Sequence, residues 1–288
     1  MTITRFLETK AKDLPRDSFP HPRQTIRHLI ESLTGLSQIA IHLNPDKKLL
    51  PKEQQLLETA VSSLKRGVPL AYVLSEVSFL EWTFKIDKRA FIPRPETEAL
   101  CAMVRECVPS SGQPQSILDM CCGSGIMGLS MALSFPDANL VLADISKEAL
   151  SLAKENTLSQ KLESRVSLIH TDLWADIPSK LKFDLMVCNP PYVADDEHVD
   201  AQVLEYEPKI ALFSEENGLQ HTKILMSRLD GFLNPGGLAA FELGHHHADT
   251  FDPWIKAQKW HGSFTWEKDP FGVPRFLFYR KEKNRMDG

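Results

Sequence analysis

The first quarter of the chain carries apolar residues at helical spacing. In residues 24–43 they recur every three or four positions, and Gly35 is predicted to divide this stretch into two helices. A further helix is predicted to begin near Pro51, because proline is favourable in a first helical turn, and to end at Gly67. Residues 1–22 contain three prolines and are predicted to form a loose arm. The pattern predicts a small module of three or four helices.

Beyond this module the spacing becomes that of strands. In residues 77–92 aromatic and β-branched residues alternate with polar ones, which predicts a β-hairpin connector. A helix is predicted to begin near Glu96, and a loop is predicted over residues 109–114. Short apolar stretches then alternate with helical ones, and strands are predicted at residues 116–120, 139–144, 166–170, 183–189, 238–243, 264–267 and 276–280. Such alternation predicts a mostly parallel sheet with helices on both faces.

The composition narrows the class of protein. Hydrophobic residues make up 42% of the chain and charged residues 25%, as in ordinary globular proteins, and the formal net charge is -5. That charge argues against a broad basic surface for nucleic acid, because phosphate neutralisation supplies much of such affinity. No stretch approaches the ~20 apolar residues that cross a bilayer, and residues 1–22 lack the apolar run of a secretory signal. The five cysteines lack metal-ligand spacing, which favours a reduced, cytoplasmic setting.

A glycine-containing loop follows the first strand of the predicted sheet. It reads Cys121-Cys122-Gly123-Ser124-Gly125, and this is the position where open α/β sheets bind nucleotides. Glycines let the backbone approach a ligand closely. The vicinal cysteines are interpreted as small loop residues, because no second cysteine or histidine cluster supports a metal site. The run His245-His246-His247 is likewise predicted to lie in an exposed loop.

Acidic residues stand at or just beyond the ends of successive strands of the predicted sheet. They are Asp119, Asp144 and Asp172. Asp144 lies about twenty residues beyond the loop, where an acid commonly binds ribose hydroxyls. An acid at the end of the first strand suits a ligand with a cationic amino-acid tail better than it suits a pyrophosphate. S-adenosylmethionine has an ammonium group, a ribose and an adenine, which these three acids could contact, although each acid taken singly could equally be a helix cap.

The tetrapeptide Asn189-Pro190-Pro191-Tyr192 directly follows the buried fourth strand and is predicted to be the catalytic motif. Its prolines stiffen the backbone and remove two N–H donors, which leaves carbonyl groups as acceptors. The Asn189 side-chain oxygen and the Pro190 carbonyl could each accept one hydrogen of a planar NH2 group, while Tyr192 could pack over that group. Because such a nitrogen is a poor nucleophile, positioning and electrostatics must carry the catalysis. Adenine N6, guanine N2 and glutamine amides all fit this motif.

On these residues the chain resembles the protein-glutamine N5-methyltransferases that modify peptide chain release factors, the HemK/PrmC type. The resemblance covers nearly the whole chain. The motifs that carry it are Pro69-Leu70-Ala71-Tyr72-Val73-Leu74, Ile92-Pro93-Arg94-Pro95-Glu96-Thr97-Glu98, residues 119–125, Asn189-Pro190-Pro191-Tyr192, Tyr206-Glu207-Pro208, Ala211-Leu212 and Gly218-Leu219. The second of these is the most discriminating, since nucleic-acid methyltransferases with Asn-Pro-Pro-Tyr generally lack it.

The resemblance implies an organisation in three parts. Residues 1–76 would form a helical substrate-docking domain, 77–93 a β-hairpin connector, and 94–288 a Rossmann-like class I methyltransferase domain with a mostly parallel seven-stranded sheet. S-adenosyl-L-methionine would be the cofactor, bound by Asp119, Cys121, Cys122, Gly123, Ser124, Gly125, Asp144, Asp172, Leu173 and Asn189. Residues 189–192 would hold the substrate glutamine, and Phe91, Arg94 and Glu98 would shape the mouth of the pocket.

The implied reaction is methylation of the glutamine in the Gly-Gly-Gln motif of a peptide chain release factor, with no membrane or direct nucleic-acid partner expected. The chain departs from the family pattern at Cys121 and Ser75, where glycine is usual, and at Leu173, where an aromatic residue is often found. Three alternatives stay open: a sister enzyme that methylates a ribosomal-protein glutamine, a nucleic-acid base methyltransferase, and a cofactor-binding module without activity.

Overall fold

The computed structural model describes residues 1–16, 18–108 and 112–283. The chain divides into two compact units. The smaller contains Met1–Val77 together with Asp200–Tyr206, and the larger contains Ser78–Val199 and Glu207–Gly288. Residues 109–111 of the predicted loop at 109–114 lie outside the described residues.

The smaller unit consists of α-helices around an apolar core. The helices are α1 (Ile3–Asp13), α2 (Pro22–Thr34), α3 (Gln38–Leu43), α4 (Pro51–Lys65), α5 (Leu70–Leu74) and, from later in the chain, α9 (Ala201–Tyr206). As predicted, a break separates α2 from α3, and Gly35 ends α2 in a left-handed conformation with φ +70°. The core contains Phe6, Leu29, Leu57 and Leu64, which have no exposed surface.

The prediction of a loose arm over residues 1–22 is wrong, because α1 occupies half of it. Ile3, Phe6 and Leu7 have the i, i+3, i+4 spacing of one helical face, and all three are buried. The Thr2 side chain caps the helix by accepting a hydrogen bond from a backbone N–H of the first turn. The prolines that suggested an arm all lie beyond the last residue of α1, where they interrupt nothing.

The larger unit is built on a mixed sheet. The strands of this unit and of the preceding hairpin are β1 (Glu76–Phe79), β2 (Trp82–Lys85), β3 (Ser116–Met120), β4 (Asn139–Asp144), β5 (Val166–His170), β6 (Phe183–Cys188), β7 (Leu233–Glu242), β8 (Gly262–Lys268) and β9 (Pro274–Lys281). In the part of the chain that the structure describes, β1 and β2 form a two-stranded sheet, and the other strands form a seven-stranded sheet of order β5-β4-β3-β6-β7-β9-β8. All neighbours are parallel except β9, which is antiparallel to β7 and β8.

Helices connect these strands. They are α6 (Pro95–Cys107), α7 (Ile126–Ser134), α8 (Lys147–Ser159), a 3-10 turn (Lys209–Ala211), the irregular turn α10 (Glu215–Gly218), α11 (Gln220–Phe232) and α12 (His247–Ala257). The Ser146 side chain caps α8, accepting from a backbone N–H in its first turn. Within the described residues, no helix is both long enough and apolar enough to cross a membrane.

The fifth strand of the main sheet begins earlier than predicted. The Pro235-Gly236-Gly237 segment was expected to precede it, but β7 starts at Leu233. The pairing with β6 shifts register between Phe183 and Leu185, whose partners are Leu233 and Leu238. Such an irregularity absorbs a proline and glycines within a strand, because the residues that cannot continue the ladder are left out of it.

The order of the strands determines where a ligand can bind. The chain runs from β3 outward to β4 and β5, then returns to the other side of β3 with β6. Helices that follow β3 and β6 therefore lie on opposite sides of the sheet, and a crevice opens at the carboxyl ends of these strands. Met120, the last residue of β3, pairs with both Ala143 and Cys188. The loop after β3 and the turn after β6 thus start side by side.

Candidate active site

A cavity in the larger unit lies at the carboxyl ends of β3, β4 and β6. Most of the residues predicted from the sequence to form the site line it: Phe91, Cys121, Cys122, Gly123, Ser124, Asp144, Asp172, Leu173, Asn189, Pro191 and Tyr192. Other predicted site residues are not among its lining: Arg94, Glu98, Asp119, Gly125 and Pro190. The glycine loop and the Asn-Pro-Pro-Tyr turn therefore face one shared space.

Asp144 fixes the shape of the glycine loop. One carboxylate oxygen accepts a hydrogen bond from the Gly123 N–H at 2.8 Å, and the other accepts from the Ser146 N–H at 2.8 Å. Burial raises the pKa of Asp144, and the backbone donors oppose that shift. Each oxygen keeps a lone pair for a ligand hydroxyl. The contact between Asp144 and a ribose stays a prediction.

Asn156 supports the loop from behind, although it was not among the residues predicted to form the site. Its side chain is fully buried and donates to the Ser124 carbonyl at 2.9 Å. The same side chain exchanges two hydrogen bonds with the backbone of Lys85, at 2.7 and 3.0 Å. Because the buried amide makes all of these hydrogen bonds, its position is fixed. It connects the glycine loop to the second strand of the hairpin.

Asp119 is buried beneath the loop. One oxygen accepts from the Gly128 N–H at 2.7 Å, while Oδ1 has no partner among the described residues. Burial raises the pKa of Asp119 to about 8, against the lowering effect of that hydrogen bond. An unpaired buried carboxylate oxygen beside this loop suits a ligand that carries a positive charge, because a nearby cation would offset the cost of burying it. The buried acidic side chains around the loop therefore fit S-adenosylmethionine.

The loop after β5 forms another wall of the cavity. Leu173 lines the cavity with a left-handed backbone, φ +48°. The next residue, Trp174, is buried, stacks on Phe232 at 4.2 Å between ring centroids, and donates to the Leu225 carbonyl at 3.0 Å. The tryptophan thus anchors the loop that carries Asp172 and Leu173, two of the residues predicted to bind the cofactor.

The side chain of Asn189 belongs to a hydrogen-bonded chain. Asn189 Nδ2 donates to Thr97 Oγ1 at 3.3 Å, and that hydroxyl donates to Glu242 Oε2 at 2.7 Å. The Tyr192 hydroxyl donates to the other oxygen of Glu242 at 3.2 Å. Burial raises the pKa of Glu242 to about 7, and the two hydroxyl donors and the charge of Arg275 oppose the shift. Burial also raises the pKa of Tyr192, so its phenol is neutral and donates.

Neither Thr97 nor Glu242 was predicted as a site residue. Thr97 stands in the motif Pro93-Arg94-Pro95-Glu96-Thr97-Glu98, and Glu242 ends the buried part of β7. An acid at the end of an apolar strand is the signal that did identify Asp119 and Asp144. The same signal would have found Glu242.

The backbone of Tyr192 rests against a glycine and a histidine. A Cβ on Gly218 would lie 2.0 Å from the Tyr192 carbonyl oxygen, so the turn packs directly on that glycine. His247 lies beside both, since its Nδ1 accepts from the Gly244 N–H at 3.1 Å and its Nε2 donates to the Asn217 carbonyl at 3.0 Å. Burial lowers the pKa of His247 to about 4, which keeps the imidazole neutral.

The prediction of an exposed histidine run is wrong for His247, which has no exposed surface. His245 is exposed as predicted. The difference arises because His247 begins α12 and turns inward to hydrogen-bond two backbone groups.

The residues predicted to shape the pocket mouth make two separate sets of contacts. Phe91 lines the cavity, and the Arg94 guanidinium lies over its ring at 4.5 Å. Arg94 pairs at 2.5 Å with Glu207, which is nearly fully buried and also accepts from the Ile92 N–H at 3.0 Å. Glu98 instead accepts from the Leu80 N–H at 2.8 Å and holds the turn of the hairpin. Arg94 and Glu207 thus act on the cavity through Phe91.

Two family models match the chain. Residues 98–206 match the methyltransferase small domain, and residues 7–74 match the PrmC N-terminal domain. The catalytic domain of hMettl16 bound to a MAT2A 3′UTR hairpin superimposes with a TM-score of 0.56 over 90% of this chain and 92% of that one, at 14% identity. That likeness bears on the fold alone. Together with the sheet order, these matches confirm the Rossmann-like class I methyltransferase fold.

Relatives of known name match over three quarters of the chain or more. The release factor glutamine methyltransferase of Leptospira interrogans is 30% identical, covering 96% of this chain and 97% of the relative. The protein of the same name from Koribacter versatilis is 31% identical, with 98% and 99% coverage. That from Clostridium botulinum is 34% identical over 75% of this chain and 77% of the relative.

Proposed function

The chain belongs to the family of release factor glutamine methyltransferases, and we propose that it methylates the N5 amide nitrogen of the glutamine in the Gly-Gly-Gln motif of a peptide chain release factor. It is an S-adenosylmethionine-dependent protein-glutamine N-methyltransferase. The observation that carries the proposal is the shared cavity, in which the glycine loop and the Asn-Pro-Pro-Tyr turn face each other.

S-adenosyl-L-methionine supplies an electrophilic methyl group on a positively charged sulfur when bound. Residues 121–125 would approach it through their backbone, and Asp144 would accept hydrogen bonds from its ribose hydroxyls. Asp172 and Leu173 would flank its adenine. The unpaired oxygen of Asp119 supports the presence of a cation near the loop, as the ammonium end of this cofactor would provide.

The turn after β6 would hold the substrate amide. Asn189 Oδ1 and the Pro190 carbonyl are acceptors, and an amide NH2 offers two hydrogens to them. Accepting both hydrogens fixes the plane of the amide and increases electron density on its nitrogen. Pro190 and Pro191 offer no N–H that could compete. Since an amide nitrogen is a weak nucleophile, we assign the rate enhancement to this positioning and to the electrostatics of the cavity.

The helical unit would dock the protein substrate. The supporting observation is the match of residues 7–74 to the PrmC N-terminal domain. We assign residues 1–76 to docking, 77–93 to the connector and 94–288 to catalysis. A peptide chain release factor is then the partner, with no membrane and no direct nucleic-acid contact required.

The test is a transfer assay with a labelled methyl donor. Purified release factor, the same factor with the motif glutamine changed to alanine, a ribosomal-protein fraction and nucleic acid would each be incubated with the enzyme. We expect label on intact release factor alone, located on that glutamine by mass spectrometry. Label on ribosomal protein or nucleic acid instead would overturn the substrate assignment.

A matched variant tests the catalytic assignment. We expect Asn189→Ala to reduce turnover by about 100-fold or more, because the substrate amide loses an acceptor aligned for the reaction. Binding of S-adenosylmethionine, measured by calorimetry, should survive. Turnover close to that of the wild type would show that Asn189 does not hold the substrate.

A further inference from the structure

We propose that Thr97 and Glu242 are positioning residues that set which end of the Asn189 side-chain amide faces the substrate. The proposal rests on the function proposed above. It concerns the orientation of the Asn189 side-chain amide, which the tetrapeptide motif alone does not determine. An asparagine amide is nearly symmetric in shape, yet its two ends have opposite hydrogen-bonding character.

The side-chain amide of Asn189 can serve the reaction in one orientation only. With Oδ1 toward the cavity, it accepts a hydrogen from the substrate NH2. With Nδ2 toward the cavity, two NH2 groups would face each other, and neither could accept. Rotation of the amide by half a turn therefore converts a productive site into a repulsive one. Some group must distinguish the two orientations.

Thr97 makes that distinction because its hydrogen is already committed. The hydroxyl donates to Glu242 Oε2 at 2.7 Å, so its oxygen can only accept from Asn189. Thr97 Oγ1 does accept a hydrogen bond from Asn189 Nδ2, at 3.3 Å. No described residue donates to Asn189 Oδ1. That oxygen, on a residue that lines the cavity, is then available for the substrate.

Glu242 in turn fixes the direction of the Thr97 hydroxyl. An ionised carboxylate has no hydrogen to donate, so both hydroxyls that reach Glu242 must donate to it. The second is that of Tyr192, at 3.2 Å. Thr97 and Glu242 are both buried, with 2% and 0% of their surface exposed, so water does not compete for these bonds. The direction of every hydrogen bond follows from the charge on one carboxylate.

Protonation of Glu242 would reverse the chain. The acid could donate to Thr97, which frees the threonine hydrogen for Asn189 Oδ1 and favours the opposite amide orientation. The charged groups that bear on Glu242 are Arg275, which lowers its pKa, and Glu96, which raises it, while the neutral phenol of Tyr192 and the neutral thiol of Cys101 lie near it. Because burial holds the pKa of Glu242 at about 7, the reversal falls within an accessible range of pH.

A pair of threonine variants tests the positioning role. Thr97→Ser keeps the hydroxyl and should keep wild-type kcat to within about threefold. Thr97→Val keeps the shape and removes the hydroxyl, and should lower kcat about 100-fold, as expected for a misdirected catalytic dipole. The dissociation constant for S-adenosylmethionine should not change in either. Equal kcat for Thr97→Val and Thr97→Ser would overturn the proposal.

The pH profile provides a readout that a merely structural role would not move. Wild-type kcat should fall below about pH 7 as Glu242 gains its proton. Glu242→Gln cannot gain a proton in this range, so its kcat profile should lack this inflection. An inflection near pH 7 that persists in Glu242→Gln would refute the role. If Glu242→Gln does not fold, the comparison of kcat between Thr97→Ser and Thr97→Val still tests the proposal.

An NMR titration separates this proposal from the substrate assignment, because it needs no methyl acceptor. The side-chain NH2 protons of Asn189, followed in 15N-labelled enzyme, should shift with an inflection near pH 7. The shift should be lost in Glu242→Gln and in Thr97→Val. Loss of activity on release factor with this titration intact would refute only the proposed substrate. A flat titration in active enzyme would refute only the positioning role.

Discussion

Gly218 offers a sharp test of how the Asn-Pro-Pro-Tyr turn is held in place. The change Gly218→Ala adds one methyl group, whose carbon would lie 2.0 Å from the Tyr192 carbonyl oxygen and 2.8 Å from its carbonyl carbon. Carbon and oxygen pack no closer than about 3.3 Å, so the turn must retreat by roughly 1 Å. Both contact atoms belong to the backbone, and no rotamer change can relieve the overlap.

Two costs combine at this position. Gly218 has φ +82°, and a side chain in that left-handed conformation costs about 1 kcal/mol. Displacing the packed turn adds about 1–3 kcal/mol. A catalytic group moved by roughly 1 Å loses about 100-fold in rate. Because Gly218 does not line the cavity, binding of S-adenosylmethionine should change little.

Gly272 supplies the matched control. Its φ is +84°, and nothing lies within 4 Å of the position where a Cβ would stand. Gly272→Ala therefore carries the backbone cost alone, about 1 kcal/mol, which corresponds to a fall in Tm of about 2–4 °C for a chain of this size. Turnover of this variant should equal that of the wild type.

The assay compares the two alanine variants by thermal unfolding and by methyl transfer to release factor at saturating S-adenosylmethionine. Gly218→Ala should unfold several degrees below Gly272→Ala and turn over about 100-fold more slowly. Similar Tm and similar kcat for the two variants would refute the reasoning, since the overlap with Tyr192 would then have no consequence.

The remaining predictions concern stability. Ser75 is exposed, with φ +59°, so Ser75→Gly should raise Tm by about 2–4 °C while Ser75→Ala should not; equal Tm for the two would contradict this. His247 is held neutral because burial lowers its pKa from 6.5 to about 4, so its stabilising effect is complete above pH 6.5 and fades as the pH falls toward 4. At pH 5 the free energy of unfolding should therefore be about 2 kcal/mol lower than at neutral pH and above. Chemical unfolding should show that loss in the wild type and not in His247→Gln, and parallel pH curves would exclude it.

Periodicity was sufficient to predict the sheet and most helices, because burial on one face leaves a mark at regular intervals along the chain. The strand ends were also predictable, since acids and glycines that follow apolar strands meet at one edge. The helix α1 was missed because its short apolar face precedes three prolines that drew the interpretation toward an irregular arm. The early start of β7 was missed because a bulge leaves no periodic mark.

The hydrogen bonds that join the supporting residues of the site were beyond a sequence argument for a different reason. Thr97 and Glu242 are 145 positions apart, and Asn156 reaches the Lys85 backbone across 71. A buried polar residue with its partners satisfied looks, in a single sequence, like any surface polar residue. Its role appears only when the fold supplies the partner.

The departures from the family pattern now have a physical explanation. Cys121 and Ser75, which stand where glycine is usual, have φ +58° and +59°. Both positions demand a left-handed backbone, which glycine adopts without strain. Leu173, with φ +48°, occupies a third such position. At each of these three positions a side chain costs about 1 kcal/mol relative to glycine.

The first and last residues of the motif, Asn189 and Tyr192, are constrained from elsewhere in the fold. Thr97 sets the orientation of Asn189, Glu242 holds the Tyr192 hydroxyl, and Gly218 sets the depth of the Tyr192 carbonyl. None of these contacts depends on the identity of the planar nitrogen that is methylated. Selection among adenine, guanine and glutamine must therefore come from other parts of the molecule, either the rest of the cavity wall or the unit proposed to dock the substrate. The ring of Phe91, which lines the cavity beneath the Arg94 guanidinium, is one such part of the wall.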